Sequence, residues 1–177
     1  MPENLIAYPD YLKKVFKDKD KDPKEPAHKA DALLLTCMDF RFFLTIAEMM
    51  KGIKYDHFIL AGASLGVVVQ NPPCNAELAR WRQTFFDHLG LAIALHEVNK
   101  VIVLEHRDCG AYGPKGFCLL PEHPDEDDER RVHEEKAEEL RGQIRRYNPN
   151  LYFCSFLLDL PSESDVLTFD QIVCADF

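Results

Sequence analysis

The chain has 177 residues, of which 46% are apolar and 29% charged, and it carries a net charge of −9. That length suits one ordinary α/β domain able to bury a single core without help from disulfides. The composition excludes a disordered chain and one threaded through a bilayer, and the acidic balance, with no basic stripe, excludes a nucleic-acid surface.

The first residues, MPENLIAYPDYLKK, carry Glu, Asn and Pro where a secretory leader needs a basic start and an apolar stretch. Cytoplasm is therefore the expected compartment. Leu5, Ile6, Tyr8, Tyr11, Leu12, Val15 and Phe16 make this segment too apolar to stand in water, which predicts an N-terminal helical arm that packs on a second copy of the chain. KDKDKDPKEP at 17–26 mixes charge with two prolines and reads as an exposed link. The chain thus divides into arm and link over 1–30 and one domain over 31–177.

From Asp31 onward, apolar runs of strand length alternate with helical patterns. ALLLT at 32–36, HFILA at 57–61, VIVLE at 101–105 and LYFCSFLL at 151–158 are continuous rather than alternating, as strands buried on both faces are. Helices are predicted over 42–50, over 84–98 with Thr84 and Asp87 as a capping box, and over 131–147. The pattern predicts an α/β fold: an open, mainly parallel β-sheet flanked by helices on both faces. Ligands in such sheets bind beyond the carboxyl ends of the strands, where the winding reverses. GASLG at 62–66 lacks the glycine spacing and lysine of a phosphate loop and reads as a turn. EHPDEDDE at 122–129 lacks the ligand pattern of a calcium loop and reads as solvated loop.

Two segments follow buried strands directly: CMDFR at 37–41 and HRDCG at 106–110. A lone cysteine at a strand end is ordinarily a small buried hydrophobe, and His-x-x-Cys recurs by chance. Together, on neighbouring strands, they bring Cys37, His106 and Cys109 to one point. Two thiolates and one imidazole suit zinc, and three protein ligands with a fourth place for water is the pattern of a catalytic site. Cys74, Cys118, Cys154 and Cys174 read as structural thiols, since a leader-free chain is kept reduced. His57, His88, His96, His123 and His133 read as surface or core-edge residues.

CMDFR and HRDCG resemble the Cys-x-Asp-x-Arg and His-x-x-Cys-Gly signatures of the β-class carbonic anhydrases. FFDHLGLAIALHEVNK leading into the second motif is similar as well, and the resemblance is close from Asp31 to Tyr112. It implies a zinc lyase that hydrates CO2 reversibly to bicarbonate, with Zn2+ held by Cys37, His106 and Cys109 and with Asp39 and Arg41 as the catalytic pair. It further implies a homodimer or higher homo-oligomer, with CO2 and bicarbonate as its small-molecule partners and neither nucleic acid nor membrane. Phe40, Ile59, Leu60 and Glu105 depart from the family pattern, leaving a greasier pocket with one extra carboxylate near the metal, and 65–81 is lengthened. A hydrolase of carbonyl sulfide or carbon disulfide on the same scaffold fits that greasier pocket, and a silent zinc-binding homologue is the third reading.

Overall fold

The computed structural model describes residues 28–75, 81–159 and 168–174, so the expected arm and most of the charged link lie outside the described residues. Among these residues, five strands form one sheet in the order β2-β1-β3-β4-β5. They are β1 (Ala32–Thr36), β2 (Tyr55–Ile59), β3 (Lys100–His106), β4 (Tyr152–Asp159) and β5 (Thr168–Cys174). The first four pair in parallel, and β5 closes the edge antiparallel to β4.

The helices are α1 (Phe43–Met49), α2 (Ser64–Val68), α3 (Trp81–His96) and α4 (Glu126–Tyr147). Side chains alternate across each strand, so Leu33, Leu35, Val101 and Val103 face α2, α3 and α4 through Val67, Phe85, Leu89, Leu140 and Ile144. Ala32, Leu34, Ile102, Leu104 and Phe156 face the other way, onto Phe42, Ile46 and Met49. Each such Leu or Phe contributes about 1.5–3 kcal/mol of burial. The two layers of core hold β1 and β3 rigidly between them.

From β1 the chain runs to β2 on one side and then crosses to β3 on the other, so the winding reverses between β1 and β3. Thr36 lies opposite Leu104 in that pairing. Cys37 and His106 therefore leave adjacent strands at the switch point.

Several local expectations are corrected. The helix α3 already runs from Trp81, so Thr84 sits inside it and does not cap it, and Asp87 accepts instead from the Gln83 amide. Half of the acidic run is helical: Asp125 caps α4 by accepting from the Asp127 N–H, and Glu126 to Glu129 fill its first turn, where the helix dipole favours carboxylates. Residues 64–68, overlapping the segment 62–66 that reads as a turn, form α2. The four cysteines expected to be thiols are paired as Cys74–Cys118 and Cys154–Cys174. For the second pair the reason is register, since Cys154 and Cys174 stand directly opposite on β4 and β5.

Candidate metal centre

Beyond β1, Cys37 is met by a loop that turns through the left-handed region at Gly62 (φ 74°) and Ala63 (φ 43°). That turn aims the Gly62 N–H at Cys37 Sγ, 3.4 Å away. A Cβ at Gly66 would lie 2.6 Å from the Ala61 carbonyl oxygen, so only glycine lets α2 pack this tightly on the strand exit. From the end of β3, Cys109 brings its Sγ to 3.8 Å from that of Cys37. The ligand atoms of Cys37, His106 and Cys109 all lie within 4.8 Å of one another, a group able to hold a metal ion.

The His106 ring is oriented for that role. Its Nδ1 donates to the Arg107 carbonyl oxygen at 2.8 Å, and a carbonyl only accepts, so the proton of the neutral ring sits on Nδ1. Nε2 is left buried and without a partner. Phe42 packs against the ring at 4.6 Å between centroids and keeps it in place. A buried nitrogen lone pair with no donor is costly, and a metal between it and the two sulfurs removes that cost.

The two thiols share one proton. The Cys109 S–H donates to Cys37 and holds its pKa down to about 4 against the opposing effect of burial, with further help from His106 and the Gly62 N–H. The same hydrogen bond, with burial, pushes Cys109 well up. Burial pulls His106 down, but the neighbouring Cys37 thiolate and the bond to the Arg107 carbonyl outweigh it and leave the imidazole above its ordinary value. An incoming metal must displace the Cys109 proton and any proton on His106 Nε2.

Asp39 stands beside this group, its Oδ2 lying 3.8 Å from His106 Nε2. Arg41 grips the carboxylate in a fork, Nε to Oδ1 at 3.0 Å and Nη2 to Oδ2 at 2.8 Å, and its backbone N–H adds a bond at 2.9 Å. This hydrogen bonding holds Asp39 below the usual carboxylate range and raises Arg41 further. Arg41 is itself tied across to the second motif, through Nη1 to the Asp108 carboxylate at 2.8 Å and Nη2 to the Asp108 carbonyl at 3.0 Å. The Asp108 N–H donates to Glu129 at 2.6 Å, and Arg107 reaches the same carboxylate at 3.3 Å. Glu129, in the first turn of α4, thus anchors the loop that carries Cys109. Sequence reasoning missed it, although Asp125 followed by a run of acidic residues is the signature of a helix start.

Glu105 is also repositioned. It is 1% exposed and its oxygens are engaged in a buried network: the Ser64 N–H at 3.0 Å, the Tyr112 hydroxyl at 3.3 Å and His133 Nδ1 at 3.2 Å. It ties β3 to α2, to α4 and to the loop after Cys109, and so acts as a strut. Its charge also contributes to raising Cys109, behind the larger effects of Cys37 and burial. His133, expected at the surface or core edge, is fully buried in this network with its ring 4.0 Å from that of Tyr112.

Two cavities open beside Cys37 and Asp39. One of about 340 Å³ is lined by Cys37, Asp39, His106, Cys109, Trp81 and Phe117. Another of about 290 Å³ runs past Cys37 and Asp39 along Phe40, Phe43, Leu44 and Ile59. This second wall is greasy and open, with Met38 70%, Phe40 87% and Leu44 78% exposed. The departures at Phe40 and Ile59 thus sit at the mouth, as the sequence implies.

Several solved structures similar in fold to this chain are carbonic anhydrases. The carbonic anhydrase of Glaciozyma antarctica is 16% identical, with a TM-score of 0.51 over 94% of this chain and 96% of that one. A tetrameric β-carbonic anhydrase of Sordaria macrospora is 16% identical, with a TM-score of 0.52 over 93% of this chain and 91% of that one. The fold is that of the β-carbonic anhydrases. At these identities the likeness is one of fold. No family model matches the chain. Among curated proteins, an uncharacterised protein of Rickettsia bellii is 29% identical over 153 residues, covering 84% of this chain and 88% of its own. One of Rickettsia conorii is 28% identical over 137 residues, covering 75% and 69%.

Proposed function

We propose that the chain is a zinc-dependent carbonic anhydrase that interconverts CO2 and bicarbonate. The observation that carries this reading is the unpartnered His106 Nε2 beside the Cys37 and Cys109 sulfurs, with the Arg41-held carboxylate of Asp39 at 3.8 Å. Cys37, His106 and Cys109 would hold the ion, and zinc at such a site supplies Lewis acidity that turns water into a nucleophile near neutral pH.

The protein's own groups supply the rest. Asp39, kept ionised by Arg41, accepts a hydrogen bond from the reacting water and aims its lone pair. Arg41 holds that carboxylate and, through Asp108, the loop that bears Cys109. The apolar wall of Phe40, Phe43, Leu44 and Ile59 admits a small uncharged triatomic and repels water. That greasy wall favours, as a second reading, hydrolysis of carbonyl sulfide or carbon disulfide. A merely silent zinc site does not require the forked Asp39–Arg41 pair. Stopped-flow measurement of CO2 hydration and of carbonyl sulfide hydrolysis by zinc-loaded protein tests the choice. CO2 is expected to turn over faster, and hydrolysis of the sulfur compound without hydration would replace this reading with the second.

The same exposed wall, lying beside the sheet-edge strand β2, supports a homo-oligomer in which a second copy covers the mouth. One of the similar solved structures is described as tetrameric. Sedimentation is expected to give a dimer or larger at micromolar concentration, weakened on deleting residues 1–20. A monomer unchanged by that deletion would contradict it.

A further inference from the structure

On the helical face of the sheet, between α3 and the last turns of α4, lies a cavity of about 660 Å³ lined by Gln70, Arg82, Phe86, Gln143, Arg146 and Tyr147. It shares none of these residues with the cavities at the metal group.

Three features of the cavity point to a ligand. Among the described residues no carboxylate lines it and neither Arg82, whose guanidinium lies 6.0 Å from the Phe86 ring centroid, nor Arg146 meets an acidic partner, although the chain carries a net charge of −9. Elsewhere on α4, Arg130, Arg131 and Arg141 are paired with carboxylates, while among the described residues Arg145, in the last turn beside Arg146, is not. The C-terminal dipole of α4 accounts in part for Arg146 but not for Arg82, which comes from another helix.

Gln143 is the second feature. It is 5% exposed, yet its Oε1 is buried without a hydrogen-bond partner. A buried amide oxygen left unsatisfied costs about 1–3 kcal/mol, so a polar group lining a cavity in this state calls for a donor. The third is an aromatic wall: Phe86 and Tyr147 meet at 5.2 Å between centroids. Gly90 allows this, since a Cβ there would lie 2.7 Å from the Tyr147 hydroxyl.

We propose that this cavity binds a nucleoside monophosphate or a close chemical relative: a phosphate monoester on a hydroxylated carrier with a flat apolar face. Two guanidiniums match a phosphate dianion in charge and in their forked donors. A turn of the Gln143 side chain brings its buried Oε1 to the cavity, where a ligand hydroxyl donates to it. The base lies against the Phe86 and Tyr147 rings. The volume is in the range of small-ligand sites.

Calorimetric titration of AMP into the zinc-loaded protein tests the assignment, with ribose 5-phosphate, adenosine and inorganic phosphate as comparison ligands. Saturable binding of AMP is expected, tighter than that of each comparison ligand. Arg82→Gln and Arg146→Gln are each expected to weaken AMP about tenfold or more, as loss of one charge-assisted hydrogen bond does. Both variants should keep the wild-type rate of CO2 hydration, which separates this site from the metal centre. Absence of saturable AMP binding at millimolar concentration would overturn the proposal. So would equal affinity for AMP and inorganic phosphate, or AMP binding that neither arginine substitution weakens.

Discussion

Asp39→Asn is expected to keep its metal and to lose CO2 hydration by on the order of a hundredfold or more. The hydrogen bonds of the carboxylate run to Arg41, and its Oδ2 stays 3.8 Å from His106 Nε2, so replacing it by an isosteric amide leaves the three ligands in place. Asparagine still offers an oxygen, but it loses the charge that pairs with Arg41, and its amide can rotate to present a donor where an acceptor is needed. Arg41→Ala should lower the rate by loosening Asp39 and, through Asp108, the loop bearing Cys109. The pH profile discriminates further. Because Arg41 holds the Asp39 pKa below the ordinary carboxylate value, this group stays ionised throughout pH 6 to 9 and contributes no titration there. The rate deficit of Asp39→Asn should therefore be constant across that range. Unchanged hydration in both variants would remove the pair from the mechanism. A higher rate in Asp39→Asn at low pH would instead make Asp39 a reversible blocker of the site.

The strands at the centre of the sheet and the two motifs were legible because their signals are local. ALLLT and VIVLE are unbroken apolar runs, and each is followed at once by potential ligands, so strand ends and site coincide. What escaped was set by contacts between distant segments. Glu105 and His133 are 28 residues apart and neither has a pattern of its own; only packing α4 onto the end of β3 makes them a buried pair. Glu129 was hidden for a similar reason, since its role depends on the packing of the first turn of α4 against Arg107 and Asp108, 22 and 21 residues earlier in the chain. The disulfides followed from register and loop proximity. A parity of cysteines cannot convey that Cys154 faces Cys174 across an antiparallel pair.

Phe40 and Ile59 illustrate the opposite case. Their departure from the pattern that the two motifs resemble was visible in the sequence, and the structure places both at the mouth of the cavity beside Cys37 and Asp39. The side chains at the mouth thus differ from the β-carbonic anhydrase pattern that the motifs resemble, while Cys37, Asp39, Arg41, His106 and Cys109 match it. This arrangement is the physical ground for comparing CO2 with its sulfur analogues in one assay.

The central claim is that Cys37, His106 and Cys109 hold one zinc ion, and calorimetric titration of zinc into metal-free protein in buffers of different ionisation enthalpy tests it most directly. Cys37 is already a thiolate at neutral pH, whereas Cys109 holds its proton, so binding at pH 7 should release about one proton per ion or more. The sign follows: affinity should fall as pH falls, because protons compete for the same lone pairs. The account predicts about one zinc per chain with that proton release, and Cys109→Ser should lose most of the affinity. Full zinc occupancy in Cys109→Ser, or zinc binding without proton release, would contradict it.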